Sequence, residues 1–276
     1  MRVDAHHHVW DLAVRDQPFT ADWPALRRSF HPDELRPNLL RHSVGGTVVV
    51  QTVTVAAETG ELVRLARADP AVRGVVGWVE PTGPDIADRL ADLVERGAPE
   101  LVGIRHATQD EPDPRWLCRP DVRRGIAAIG AAALVYDVFV RPPQLTAAVE
   151  TARALPDVRF VLNHMASPPI ARGVLEPWQT MVGQLGALPN VAVKLSGLLA
   201  QAGPDRATGT LRRYVDVLLE AFGPRRVMFG SDWPVCLLTA SYDEVVGAAE
   251  DVTAHLSAVE RADVFGGTAA RWYHLP

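Results

Sequence analysis

The feature that most constrains the fold is a repeated alternation of short β-branched runs with longer segments rich in alanine, leucine and arginine. The runs are almost continuously apolar, which is typical of parallel strands covered on both faces. We interpret eight runs as strands: residues 2–5, 46–52, 74–80, 101–105, 133–139, 159–164, 191–197 and 226–232. Predicted helices lie near 56–68, 84–97, 119–130, 143–154, 174–187 and 208–222. Eight such units predict an α/β fold, a (β/α)8 TIM barrel, with a doubly wound open sheet as the alternative.

The length of 276 residues suits one barrel domain spanning 1–276, since such barrels take about 250 residues. No linker divides the chain, and no repeat beyond the strand–helix unit is visible. Residues 11–45 carry four prolines, so we expect a long irregular loop after strand 1 that covers one end of the barrel. The last segment of the chain is expected to be helical and to close the fold.

Composition excludes several functional classes. The net charge of −5, without a basic run, disfavours nucleic acid and a polybasic membrane contact, so we expect a small-molecule partner. The longest apolar stretch, residues 125–140, is shorter than the roughly 20 residues of a membrane span. Cys118 and Cys236 form no CxxC pair and no export signal is visible, which predicts a cytoplasmic protein. The sequence is compatible with a homo-oligomer as well as with a monomer. The absence of GxSxG, GxGxxG and P-loop patterns disfavours serine hydrolases and nucleotide chemistry.

Polar side chains collect at the predicted carboxyl ends of the strands, where barrel enzymes carry their active sites. They are His6 and His8, Gln51, Glu80, Arg105 and His106, Tyr136 and Asp137, His164, Lys194 and Ser196, and Asp232.

The histidine triplet in "DAHHHVW" is a candidate metal site. Side chains alternate along a strand, so His6 and His8 share one face and His7 takes the other. Imidazole nitrogens and carboxylate oxygens suit zinc and similar cations. The strand-end positions of His164 and Asp232 make them further candidates for this site, although an HxH pair alone is a weak motif.

The other candidates have structural alternatives. Arg105 is suited to bidentate binding of a carboxylate or polyol, and a buried Lys194 would need a partner. Tyr136 could pack in the core, and Gln51 could bond to backbone. We expect ordinary structural roles for a further group: His31, His42, His255, His274 and Cys236.

Taken in order, several stretches resemble the amidohydrolase-related family of sugar lactonases, which includes L-fuconolactonases and L-rhamnono-lactonases and is related to 2-pyrone-4,6-dicarboxylate lactonase. The stretches are "VDAHHHVWD", "LVGIRH", "VLNHMASPP", "VAVKLSGL", "MFGSDWPVC" and "FGGTAARWY". The resemblance implies an amidohydrolase-like barrel with an HxH pair at His6 and His8, a strand-6 histidine at His164 and a strand-8 aspartate at Asp232.

Two departures from the family pattern bear on the chemistry. After strand 6 many relatives read LDHxGKP, whereas this chain has "LNHMASPP", so the identity of the lactone stays open. Strand 5 carries no histidine, which disfavours a binuclear centre. The resemblance implies one divalent ion as the cofactor, with zinc as the first choice. The ion would be held by His6, His8 and Asp232, with His164 as a further candidate ligand. Metal-free hydrolysis, as in some relatives, remains an alternative.

The resemblance implies hydrolysis of a small lactone. Asp232 is the candidate general base, and His6, His8 and His164 are candidate stabilisers of the oxyanion. The predicted substrate contacts are Arg105, His106, Lys194, Tyr136 and Gln51. The alternatives are a metal-dependent decarboxylase of an aromatic or unsaturated acid and a barrel that binds a sugar acid without turnover.

Overall fold

A computed structural model describes residues 1–203 and 205–276. Eight parallel strands follow one another in chain order around a single sheet. They are β1 Arg2–His7, β2 Val44–Val50, β3 Val72–Gly77, β4 Leu101–His106, β5 Val135–Val138, β6 Phe160–Leu162, β7 Val191–Leu195 and β8 Val227–Phe229. The circle closes where the His8 N–H donates to the Trp233 carbonyl at 2.6 Å and the Asp232 N–H donates to the His6 carbonyl at 2.8 Å. The predicted TIM barrel is confirmed.

Helices surround the barrel and cross between its strands. They are α1 Pro32–Arg41, α2 Ala56–Ala68, α3 Ile86–Gly97, α4 Pro120–Ala131, α5 Leu145–Ala154, α6 Trp178–Gly186, α7 Leu198–Ala202, α8 Thr208–Phe222, α9 Tyr242–Val252, α10 Ala258–Ala262 and α11 Thr268–Tyr273. Apolar side chains on the helices and on the outward face of the strands form one continuous core. Among the residues described, no helix is both long and apolar enough to span a membrane.

The prediction of an entirely irregular segment over residues 11–45 was wrong in part, because this segment contains α1. Pro32 occupies the first turn of the helix, where its missing N–H costs nothing, and Pro37 is tolerated inside the helix. Upstream, the chain runs through two short 3-10 turns, Pro18–Thr20 and Pro24–Leu26. The second of these turns contacts residues 235–238, which follow β8, so this segment lies beside the carboxyl end of the barrel.

The inside of the barrel has two layers of different chemistry. The lower layer, near the amino ends of the strands, is apolar and consists of Val3, Ala5, Val48, Val50, Val76, Val102, Val135, Val161, Ala192 and Met228, joined by Ala269 and Tyr273 of α11. The C-terminal helix therefore closes this end of the barrel. Toward the carboxyl ends of the strands the inward side chains become polar. These polar residues form the upper layer, which consists of His6, His8, Arg105, Asp137, Asn163, His164, Lys194 and Asp232.

The last strands are shorter than predicted. β6 ends at Leu162 and β8 ends at Phe229, so His164 and Asp232 lie in the turns that follow these strands. Both residues have a left-handed backbone, with φ of 50° for His164 and 60° for Asp232. Residues of an extended strand have negative φ, so neither residue can belong to a strand. The two side chains are therefore positioned by loop geometry and not by the strand period.

Candidate active site

Two imidazoles and one carboxylate meet at the carboxyl end of the barrel. The Nε2 atoms of His6 and His8 are 3.2 Å apart. Oδ1 of Asp232 lies 3.6 Å from Nε2 of His6 and 3.5 Å from Nε2 of His8. A fourth group approaches from the other side, since Nδ1 of His164 is 4.0 Å from Oδ2 of Asp232. All four side chains are buried, with Asp232, His164 and His8 retaining a small exposed edge.

Burial keeps the imidazoles of this cluster neutral. It lowers the pKa of His8 to about 3 and that of His164 to about 4, and it lowers the pKa of His6 well below its ordinary value. Burial also raises the pKa of Asp232, while His164 and Arg105 oppose that rise. Neutral imidazoles can ligate a metal, and a carboxylate of raised pKa is a stronger base than an exposed one.

The three consecutive histidines separate as the strand period predicts. Nδ1 of His8 lies 2.6 Å from the Val50 carbonyl, so Nδ1–H donates to that oxygen and the Nε2 lone pair faces the cluster. His7 points to the opposite side of β1, where its Nε2 lies 3.0 Å from Oγ1 of Thr47. A register shift in the pairing of β1 with β2, between Asp4 and His7, accompanies the inward turn of His6.

His164 begins a left-handed turn of unusual length. His164, Met165, Ala166 and Ser167 all have positive φ, between 50° and 57°. Left-handed backbone costs a non-glycine residue about 1–2 kcal/mol, so this turn needs support from its surroundings. Two side chains bond to carbonyl groups of the turn and supply this support. Gln201 Nε2 donates to the His164 carbonyl at 2.9 Å, and Trp178 Nε1 donates to the Met165 carbonyl at 2.8 Å.

Ser196 positions the His164 ring, and Gly197 leaves room for it. Oγ of Ser196 lies 3.0 Å from its Nδ1 and accepts from the His164 backbone N–H at 3.2 Å. Gly197 is required beside it, because a Cβ there would lie 3.3 Å from the His164 Cβ and its φ is +66°. Backbone strain of this kind is typical of functional sites, and the sequence carried no pattern that indicated it.

Asp4 stabilises the junction of β1 with the segment after β8. Its Oδ1 accepts from the Ser231 N–H at 2.8 Å, and its Oδ2 accepts from the Tyr242 hydroxyl at 3.2 Å. Burial raises the pKa of Asp4 to about 6. Because Asp232 directly follows Ser231, this buried carboxyl helps to fix the candidate base, a role that sequence reasoning missed.

Arg105 projects from β4 into the upper layer. Its Nη2 donates to the Gln51 carbonyl, and its guanidinium carbon lies 5.2 Å from the centre of the Phe139 ring. These contacts engage part of the five N–H donors of the guanidinium, which is 8% exposed as a residue. The geometry therefore leaves Arg105 able to bind an oxygen atom at the mouth of the barrel.

Three predicted substrate contacts are not brought into the cluster. The Gln51 amide donates to the carbonyls of Val53 and Val55, at 2.6 and 2.9 Å. Tyr136 packs against Phe160 in the outer core, with ring centres 6.1 Å apart. His106 stacks on Trp116 at 4.5 Å, and its Nε2 lies 2.8 Å from Glu111. These placements give Gln51, Tyr136 and His106 structural contacts instead of contacts at the mouth.

Lys194 is inside the barrel but below the mouth. Its Nζ donates to Asp137 Oδ2 at 2.6 Å and lies 3.2 Å from Nδ1 of His6. It has no exposed surface, so a substrate at the mouth would not reach it. Asp137 shares the inward face of β5 with Val135, whereas Tyr136 faces outward. This alternation was available in the sequence and would have favoured Asp137 over Tyr136.

The spacing of the cluster suits a divalent cation. Ligands at about 2.1 Å from a tetrahedral zinc ion lie about 3.4 Å from one another, close to the observed separations of His6, His8 and Asp232. Their ligand atoms all fall within 4.8 Å of one another. The nitrogen and oxygen donors fit zinc, and three protein ligands would leave a coordination position for water or substrate.

A parallel barrel that gathers imidazoles and a buried carboxylate at its carboxyl end has the architecture of a barrel hydrolase. The chain belongs to the amidohydrolase family, whose family model matches residues 3–275. The resemblance predicted from the sequence is thereby confirmed.

The relatives cover the chain almost completely. It is 39% identical over 290 aligned positions to an L-fucono-1,5-lactonase from Burkholderia multivorans. The alignment covers 100% of this chain and 97% of the relative. An L-fucono-1,5-lactonase from Burkholderia ambifaria is 37% identical over 281 positions. That alignment covers 99% of this chain and 96% of the relative. The structure matches that of an amidohydrolase from Burkholderia multivorans with bound zinc at a TM-score of 0.94, with 38% identity and 100% of both chains covered.

Proposed function

We propose that this protein is a hydrolase that opens a small sugar lactone, an aldonolactone of the fucono, rhamnono or galactono type. The observation that carries the proposal is the position of Asp232 among His6, His8 and His164, in a chain similar over its full length to L-fucono-1,5-lactonases. A buried carboxylate beside neutral imidazoles provides a base and groups that can stabilise an oxyanion within one small site.

The proposed reaction uses Asp232 as the base. Its carboxylate accepts a proton from water while the water oxygen bonds to the ring carbonyl carbon, which gives a tetrahedral oxyanion. The bond from that carbon to the ring oxygen then breaks, and Asp232 returns the proton to the departing alkoxide. Arg105 binds and orients the lactone oxygens, and His164 stays neutral beside Asp232.

The proposed cofactor is one zinc ion held by His6, His8 and Asp232. When bound, such an ion supplies Lewis acidity toward a carbonyl oxygen. The Val50 carbonyl fixes the ring of His8, so that Nε2 is the atom available as a ligand. The donor chemistry of the cluster and the zinc in the related amidohydrolase structure support this choice of metal.

A lactone panel tests the proposed activity. The protein is incubated with 1,5- and 1,4-aldonolactones in a pH-stat, which records the acid released as each ring opens. We expect enzyme-dependent opening of at least one sugar lactone, with none for an open-chain methyl ester of the same acid. Carbon dioxide release from aromatic acids, with no lactone opened, would instead favour a decarboxylase. Binding of sugar acids without either reaction would favour a non-catalytic barrel.

A pair of neighbouring histidines tests the metal site. His8→Gln removes a proposed ligand, while His7→Gln changes the adjacent histidine that points to Thr47. We expect His8→Gln to lose at least tenfold in zinc affinity by competition with a fluorescent chelator, and His7→Gln to bind as the wild type does. Equal zinc affinity in the wild type and His8→Gln would remove this site as the metal centre.

A further inference from the structure

A second polar cluster lies beneath the candidate active site, inside the barrel. We call its four residues, Asp137, Asn163, Lys194 and Tyr273, the interior hub. Asp137 is the common partner, because its Oδ2 accepts from Lys194 Nζ at 2.6 Å and from Asn163 Nδ2 at 2.9 Å. Its Oδ1 accepts from the Tyr273 hydroxyl at 2.6 Å. The four side chains are almost completely buried.

The hub contacts two residues of the upper layer that lie nearer the mouth of the barrel. Lys194 Nζ lies 3.2 Å from Nδ1 of His6, on the side of the ring opposite the nitrogen that faces Asp232. Asn163 Oδ1 accepts from Nη1 of Arg105 at 3.5 Å. One carboxylate therefore supports, through one intermediate side chain each, an imidazole of the candidate metal site and the guanidinium at the mouth.

Tyr273 brings the C-terminal helix into this cluster. It belongs to α11, which closes the amino-terminal end of the barrel, and its ring packs with the apolar lower layer. The centre of the Tyr273 ring lies 5.3 Å from Lys194 Nζ, and the Tyr273 hydroxyl donates to Asp137. The helix that closes the bottom of the barrel therefore contacts the groups that support its mouth.

The buried pair of Asp137 and Lys194 contributes orientation more than stability. A buried ion pair is costly to desolvate and contributes little net stability compared with apolar residues of the same volume. Burial lowers the pKa of Lys194, and the pair with Asp137 opposes that effect. The directional hydrogen bonds of such a network fix side-chain orientation, which an apolar layer does not.

We propose that the interior hub is a set of positioning residues that fixes the orientation of His6 and Arg105, and that Tyr273 makes α11 part of this support. The inference rests on the proposed lactone hydrolysis for its kinetic consequence. The structural consequence, which is the environment of the His6 ring, can be measured without that activity.

Two variants and one control test the hub. Tyr273→Phe removes the hydroxyl and keeps the ring, and the double variant D137N/K194M removes the ion pair without leaving one charge unpaired. Tyr214→Phe is the matched control, because Tyr214 is also fully buried and its hydroxyl donates to the Val174 carbonyl at 3.1 Å, away from the hub. Each protein is measured for kcat, KM, thermal unfolding and the imidazole 15N signals of His6.

We expect kcat to fall about tenfold in Tyr273→Phe and about 100-fold in D137N/K194M, with KM within threefold of the wild type, because misplaced groups reduce stabilisation of the transition state. The His6 15N signals should shift in both variants and stay unchanged in Tyr214→Phe. Unchanged His6 signals in both hub variants, or a loss of kcat no greater than that of Tyr214→Phe, would overturn the proposal. If the wild type opens no lactone, the proposed function fails, and the His6 signals alone decide about the hub.

Discussion

The two layers inside the barrel are built by the same strands yet have opposite chemistry. On β5 the inward residues are Val135 and then Asp137, and on β7 they are Ala192 and then Lys194. The lower layer is apolar and closed by α11, whereas the upper layer holds charges and imidazoles. A shift of two residues along a strand therefore separates packing from chemistry, which agrees with the general division between the stabilising and the active end of such barrels.

The comparison makes opposite predictions for the two layers. Changes in the upper layer should reduce turnover with small effects on the free energy of unfolding. Changes to the apolar strand residues of the lower layer should reduce that free energy and leave the turnover of folded molecules unchanged.

Among the upper-layer side chains placed to bind the substrate, Arg105 should have the largest effect. Arg105→Met removes the guanidinium that we place on the lactone oxygens, and we expect kcat/KM to fall by about 10²–10³. Arg105→Lys should recover only part of this loss, because an ammonium does not reproduce the two-pronged geometry of the guanidinium. Steady-state kinetics on the best lactone provide the measurement, and kcat/KM within threefold of the wild type for Arg105→Met would contradict the upper-layer assignment.

The next largest effect is expected from Met228 in the lower layer. Met228→Ala leaves a cavity in the fully buried interior, which should cost about 2–4 kcal/mol in the free energy of unfolding. The measurement is urea denaturation, combined with kcat per folded molecule at a temperature where the variant is folded. A large loss of kcat in the folded variant would mean that the two layers are not separate in function.

Acidification should destabilise the metal-free protein through the upper layer. The pKa values of His8 and His164 are lowered to about 3 and about 4, so the unfolded chain binds more protons as pH falls below the ordinary histidine value of about 6.5. Their contribution to stability is complete above pH 6.5. It is lost as the pH falls, down to about pH 4 for His164 and about pH 3 for His8, at about 1.4 kcal/mol per pH unit per proton. Asp4, with a pKa raised to about 6, acts in the opposite direction.

Urea midpoints from pH 7 to pH 4.5 with a chelator present measure this dependence. Met228→Ala should keep the wild-type dependence on pH, while His164→Gln should have a shallower one. Equal pH dependence in the wild type and in His164→Gln would show that the His164 imidazole is not held neutral in the folded protein.

The smallest expected effect concerns the left-handed turn after β6. Ala166 has a φ of 57°, so Ala166→Gly should relieve backbone strain and raise the free energy of unfolding by up to about 1 kcal/mol. Ala128→Gly, inside α4, is the control and should lower it by about 0.5–1 kcal/mol. A loss of stability in Ala166→Gly equal to that in Ala128→Gly would show that this turn is unstrained.

The sequence was sufficient for those features that follow from strand periodicity and order. Continuous apolar runs predicted eight parallel strands, and α2 and α8 begin and end at the predicted residues. The period of two correctly separated His6 and His8 from His7. Residues placed by position at a strand end, such as His164 and Asp232, were found near one another because the carboxyl ends of the strands share one face of the barrel.

Features that depend on local backbone geometry or on distant contacts were not predictable in this way. Pro37 suggested an irregular segment, yet it lies within α1. The left-handed turn after β6 accepts hydrogen bonds from Gln201 and Trp178, which lie outside the turn. Tyr273 reaches Asp137 across 136 residues of sequence, and no short-range pattern indicates such a pair.

The most direct test of the central claim is the rate of lactone opening by Asp232→Asn. The amide keeps the shape of the carboxylate and removes its basicity, in a side chain 3.5 Å from His8 and 4.0 Å from His164. We predict that kcat falls by at least about 10³ while the folded structure and its thermal unfolding are retained. A folded Asp232→Asn variant with a kcat within tenfold of the wild type would contradict the assignment of Asp232 as the base.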